Sequence, residues 1–194
     1  MTEQLGFLDE IPYIKNNLLL KLLSDEYLMK LVSDSYDVQI PALDLRFKQV
    51  YPWEYTIGTT EESKAFITFE MRGESIKDYS GKHRTDTKRV YLYVYCFCHE
   101  AINLVDDMVA DRLGLPDDKR GSRIDLMAAR VDRLINGSVF SNWGRFQFDD
   151  QAILTPVGVN HHGKCNVYIA EIANQYGDKM YEHSDMPFEV NLYA

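Results

Sequence analysis

Two short stretches hold the side chains best suited to metal binding or nucleophilic chemistry: Cys96, Cys98 and His99 in "RVYLYVYCFCHE", and His161, His162 and Cys165 in "NHHGKC". Thiolates and imidazoles are the usual zinc ligands, and a cysteine beside a histidine can become a nucleophile. The spacing works against both uses. Structural zinc sites commonly pair ligands as C-x2-C or H-x3-H, where a turn lets both side chains reach one ion. Here the cysteines are C-x-C inside an apolar run, and the histidines are adjacent. On a strand His99 points away from Cys96 and Cys98. Gly163 suggests a turn, which puts His161 and His162 in an exposed loop. Two readings stay open on these residues alone: small apolar fillers of a buried strand, or the working groups of a metal- or thiol-dependent small enzyme using Cys96 and Cys98 with His161 and His162.

A third cluster, Asp106, Asp107 and Asp111 in "DDMVADR", invites comparison with magnesium sites. Asp107 and Asp111 share a helix face at i and i+4, but no cluster of phosphate-binding Lys or Arg lies near, so a solvated face with Arg112 is the expectation. No Gly-rich phosphate loop, G-x-S-x-G elbow or HExxH helix occurs. The sequence therefore assigns no catalytic, cofactor-binding or metal-binding residue, and a non-enzymatic protein is expected.

The elements that position these residues follow from periodicity. Residues 13–32 carry Ile14, Leu18, Leu22, Tyr27, Leu28, Leu31 and Val32 at helical spacing, with a break near Leu23 and Ser24 as the expected cap of a second helix. Residues 36–60 contain Pro41, Pro52 and Gly58 and the aromatics Tyr51, Trp53 and Tyr55, without a period. This is an irregular loop that either anchors a partner or folds back on its own core. "KAFITFEMR" alternates as a half-buried strand. "RGESIKDYSGKHRTDTKR" reads as a long connection between two strands of an extended hairpin, whose tip, residues 75–86, projects. In "RVYLYVYCFCHE" both faces are apolar, so a central strand covered on both sides is expected, with the aromatic face under helices or a neighbouring subunit. A helix over residues 101–115 should end at Gly114. "SRIDLMAARVDRLING" forms the clearest helix, with Ser122 and Asp125 as a capping box, Gly137 as terminator, and Arg123 to the side of its apolar stripe. "GRFQFDD" and "KCNVYIAEIAN" are strands, and residues 175–194 an arm. The succession predicts segregated α+β, a small mostly antiparallel sheet flanked by helices, in a single domain of N-terminal helices (13–33), aromatic loop (36–60), core (64–174) and C-terminal arm (175–194).

The totals agree. At 194 residues the chain can bury a sizeable core. A formal charge of -9 argues against a dedicated phosphate-gripping surface. The densest basic stretch, Lys82, His83, Arg84, Lys88 and Arg89, reads as a solvated strand entrance. Three cysteines, an odd number, point to reduced thiols in a cytoplasm. The apolar run at residues 18–23 is interrupted by Lys21 and far shorter than the ~20 residues of a membrane span, so a soluble protein is expected.

In order and character, "KAFITFEMRGE", "RVYLYVYCFCHE", "SRIDLMAARVDRLING", and "WGRFQFDD" leading to "GKCNVYIAEIAN" resemble the small neck proteins of tailed bacteriophages, nearest the head-to-tail connector or tail-completion, terminator-like group. Arg123-Ile124-Asp125 opening a helix that ends in Asn136-Gly137, followed by Gly144-Arg145-Phe146, carries most of the likeness, which spans roughly residues 10–175. The resemblance implies a homo-oligomeric ring, hexameric or twelve-fold, between the portal or another neck protein and the tail tube. DNA would pass through it without sequence-specific binding; there would be no membrane and no cofactor. It also implies a place at the virion neck after synthesis in a host bacterial cytoplasm. Tyr51, Trp53, Tyr55, Lys77, Lys82, Arg84 and Arg123 become the candidate subunit or partner contacts.

Overall fold

A computed structural model describes residues 7–54, 63–77, 83–116, 118–140, 144–154 and 160–173, with side chains left aside at 7–10, 74–77, 83–88 and 172–173. Two N-terminal helices, α1 (Phe7–Leu23) and α2 (Glu26–Ser33), break as expected after Leu23. The cap is Asp25 rather than Ser24: its carboxylate accepts from the Leu28 N–H at 2.8 Å, satisfying a free first-turn amide. Asp25 wins because it also receives Arg130 on two nitrogens, at 3.0 and 2.6 Å, and so fastens α2 to a helix more than a hundred residues away.

Seven strands follow: β1 (Val50–Tyr51), β2 (Ala65–Lys77), β3 (His83–His99), β4 (Leu104–Val105), β5 (Gly121–Ser122), β6 (Gln147–Leu154) and β7 (His161–Ala173), with α3 (Asp107–Leu113) and α4 (Arg123–Ile135) among them. Five make one sheet in the order β1-β2-β3-β7-β6, antiparallel except for β1 beside β2; β4 and β5 pair separately. The α+β class and the mostly antiparallel sheet are as the sequence predicts. The extended hairpin is present too, with strands longer than the sequence suggests: β2 runs on through Lys77 and β3 begins at His83, because pairing continues past Gly73 to Lys77 and His83. Only residues 78–82 of the hairpin's end lie outside the described residues.

The 101–115 helix also starts later than its sequence suggests. Asp106 caps it, accepting from the Val109 N–H at 2.8 Å. The residues before it form a short 3-10 turn at Glu100–Ile102 and strand β4. Asn103 explains the change. Its backbone carbonyl and side-chain oxygen accept from the N–H groups of Arg123 and Ile124, at 2.6 and 3.2 Å. Asn103 thereby caps α4 from outside, and the expected Ser122–Asp125 capping box does not form: Ser122 makes no side-chain cap bond, while Asp125 pairs with Lys164 of β7 at 2.7 Å. Gly137 takes a positive φ of 79° just past the end of α4, the backbone turn that glycine permits there.

The main core lies on one face of the sheet. Val90, Leu92, Val94, Cys96 and Cys98 of β3 and Ala65, Ile67 and Phe69 of β2 are buried with the apolar stripes of all four helices. No helix among the described residues is long and apolar enough to cross a membrane.

Candidate functional site: an open aromatic face and a bare edge

β3 is the central strand, as its two apolar faces predict, but among the described residues helices cover one face. On the other face Phe97 is buried in a small second cluster with Tyr51 and Phe66, while Tyr91, Tyr93 and Tyr95 are half-buried. The rings form a ladder: Tyr91 to Tyr93 at 6.2 Å, Tyr93 to Tyr95 at 6.5 Å, Tyr95 to Phe97 at 6.3 Å, all nearly parallel. β7 adds half-buried Val167 and Ile169 opposite Tyr93 and Tyr91. Of the two covers expected for the aromatic face, helices are not the one found among the described residues. The sequence carried a signal for this: the residues at 91, 93 and 95 are tyrosine, whose hydroxyl end keeps contact with water, whereas the covered position 97 is phenylalanine. The Tyr95 hydroxyl donates to Glu70 at 3.1 Å, and burial, reinforced by Cys165 and Glu70, raises its pKa well above the usual phenol value.

The half-buried reading of β2 also changes. Phe66 and Thr68 are buried on this outer face because the aromatic loop returns over them. The Thr68 hydroxyl donates to the Trp53 carbonyl, and Phe66 stacks on Phe97 at 4.9 Å. Tyr51 is buried in the same cluster, its hydroxyl donating to the Lys48 carbonyl. Trp53 remains 45% exposed against Phe47, 5.2 Å between centroids. The described part of the loop thus folds back on its own sheet and still offers the Trp53 indole.

The remaining candidate contacts separate. Arg123 is a correction: it is 1% exposed, donating to the Leu31 carbonyl at 2.9 Å and to Asp34 at 2.6 Å. It therefore serves the chain's own interior, because α4 starts against the C-terminal end of α2. Lys77 and Arg84 stand on β2 and β3, with their side chains outside the description, and Tyr55 and Lys82 lie outside the described residues.

The histidines are likewise corrected. They open strand β7 instead of occupying an exposed loop: His161 is opposite His99 and 1% exposed, and His162 is opposite Cys98. Gly163 marks no turn. A Cβ there would lie 2.6 Å from the Phe97 ring, so the glycine makes room for that ring. The pairing splits the cluster across the sheet: Cys96, Cys98 and His162 face the helices, while His99, His161 and Cys165 face outward. Among the described residues no three His, Cys, Asp or Glu side chains converge to hold a metal. Burial raises the thiol pKa of Cys96 strongly and pushes Cys98 up to about 12 and Cys165 to about 11. A thiol held protonated is a poor nucleophile. We expect the three free cysteines to react with a chromogenic disulfide reagent at least ~100-fold more slowly in the native protein than in denaturing urea, followed by absorbance.

The acidic trio is spoken for. Asp106 caps α3, and Arg120 lies 2.5 Å from Asp107 and 3.7 Å from Asp111. Arg112, expected beside them, reaches Asp34 instead, at 2.8 Å.

At the far side of the sheet β6 is exposed almost throughout, with Phe148 42% and Ile153 81% exposed. The sequence gives no warning of so bare an edge.

A family model named YomW matches residues 16–169, most of the chain and nearly all of the described fold. The chain belongs to the YomW family. No curated protein matches the sequence. Among solved structures, a chain in "Virion of native gene transfer agent (GTA) particle" is similar, with a TM-score of 0.46 and 13% identity over 80% of this chain and 91% of that chain. A likeness that slight carries no argument about what this YomW-family chain does.

Proposed function

We propose that this YomW-family protein is a structural protein of a phage virion, and more specifically a subunit of a neck ring that joins the head, on its portal side, to the tail and surrounds the DNA channel. The broad part rests on family membership together with the order of elements that resembles phage neck proteins. The observation that carries the ring is the one-sided sheet: helices cover one face, and the other presents Tyr91, Tyr93, Tyr95, Val167 and Ile169 half-buried. Rigid aromatic rings on a flat sheet bury much area at little entropy cost. That face also differs from the helical side. A ring closes through heterologous contacts, which need two different patches on each subunit. The charge of -9 suits a protein that lets DNA pass without gripping it.

Native mass spectrometry of the purified protein tests this. A metal-free hexamer or dodecamer is the expected result. A stable monomer with no affinity for portal or tail-tube components would remove the ring.

A further inference from the structure

Strand β6 ends the sheet; the Gln151 N–H is taken by the Asp150 carboxylate at 2.7 Å, and the rest of the outer edge is satisfied, among the described residues, at the start. There the Phe148 N–H donates to Asn136 at 3.2 Å, and the Phe146 N–H donates to the Ser138 carbonyl at 2.9 Å. From residue 149 to 154 no described strand lies beyond it. A bare edge of unpaired amides and carbonyls is a template for another strand, and proteins usually blunt it or cover it. Here Asp149, Asp150 and the register shift between Phe148 and Asp150 blunt its first part, but residues 151–154 carry no charge and no proline, and Ile153 is 81% exposed. The other edge has its own protection: β2 past its short pairing with β1 carries Glu70 and Arg72, joined at 2.7 Å.

We propose that residues 149–154 of β6 are paired by a strand formed from residues 187–193 of a second copy of this chain. This rests on the ring reading and supplies one of its contacts. The segment "PFEVNLY" alternates, with Phe188, Val190 and Leu192 on one side and Glu189, Asn191 and Tyr193 on the other, the pattern of a half-buried strand. Its seven residues are enough to span the six of the free stretch. Laid against β6 with the apolar set on the helical side, it covers Ile153 and continues the row begun by Phe148.

The position of the chain's exit favours the neighbouring copy. β7 ends at Ala173, six residues past Val167, the partner of Asp150, so the chain leaves at the end remote from the free stretch. The intervening edge is already taken by Asn136 and Ser138. On the ring reading the donor is a neighbour's tail, since donor segment and acceptor edge are then the two unlike patches of a head-to-tail contact.

The test compares the full chain with one ending at Met186, by native mass and by deuterium exchange of residues 149–154. It adds, under mild oxidation, mixtures of an Ile153→Cys chain with a Val190→Cys or Leu192→Cys chain, and a chain carrying both Ile153→Cys and Val190→Cys. The expected result is loss of the oligomer on truncation, about tenfold or greater acceleration of exchange at 149–154, and a disulfide between the two mixed chains. A truncated chain that keeps both its ring mass and its protected edge overturns the proposal while leaving the ring intact. A disulfide formed only within one chain carrying both cysteines overturns the second-copy donor. Mixed disulfides in an open chain of subunits that never closes would support the strand and remove the ring.

Discussion

Asp34→Asn is expected to cost the fold about 3 to 5 kcal/mol, read as a fall in the urea midpoint at unchanged slope. Asp34 ends α2 in the left-handed conformation, φ 56°, and its carboxylate receives Arg123 at 2.6 Å and Arg112 at 2.8 Å. Asparagine keeps the size and tolerates that backbone, so the change isolates the charge. What it leaves behind decides the magnitude: Arg123 is 1% exposed and would keep a full positive charge facing a neutral amide. Arg112 is half-exposed, and its share is at most about 1 kcal/mol. Removing the other partner should cost less. Arg123→Met takes the buried charge away and leaves Asp34 with Arg112, so the main loss is the bond to the Leu31 carbonyl, about 1 to 3 kcal/mol. The pH dependence has a definite sign. Burial pushes the Asp34 carboxyl up, but hydrogen bonds from Arg112 and Arg123 outweigh it and hold the pKa below the usual value. A depressed folded pKa contributes stability that is fully present above the unfolded value, about 3.9, and is lost as pH falls through the folded value. The gap between wild type and Asp34→Asn should therefore be constant near neutrality and close below about pH 4.

That cluster was invisible in the sequence for a physical reason. Period-3.6 and period-2 patterns report which side of one element is apolar, and they placed α1, α2, α4 and the alternation of β2 and β3 well enough to give the class. They say nothing of partners from distant elements. Arg123 and Asp34 are 89 residues apart, and Arg130 and Asp25 are 105 apart; each arginine looked like surface on its own helix. Local capping rules failed where a tertiary partner competed: Asn103 displaced the Ser122–Asp125 box, and Lys164 took Asp125. Gly163 misled in the same way, since its role comes from the Phe97 ring of the neighbouring strand. For the C-x-C stretch strand geometry alone separates Cys96 and Cys98 from His99, and both thiols lie in the core.

Two adjacent residues of β3 separate folding from assembly. Leu92→Ala is expected to cost about 2 to 5 kcal/mol, because Leu92 is fully buried in the core under the helices and its loss leaves a cavity in close packing. Tyr93→Thr should cost only about 1 kcal/mol, because threonine suits a strand and the ring is half-buried on the helix-free face. It gives up stacking on Tyr91 and Tyr95 and the Arg72 guanidinium 5.3 Å above it, each a small contribution. Assembly should reverse the ranking at temperatures where both variants are folded. If the tyrosine ladder is a subunit contact, Tyr93→Thr weakens the oligomer while the monomer's urea midpoint barely moves, and Leu92→Ala retains the oligomer until its fold fails. Native mass measured beside urea melts distinguishes the cases. An oligomer indifferent to Tyr93→Thr would move the contact off this face and toward the bare edge of β6, where Ile153 is the more exposed side chain.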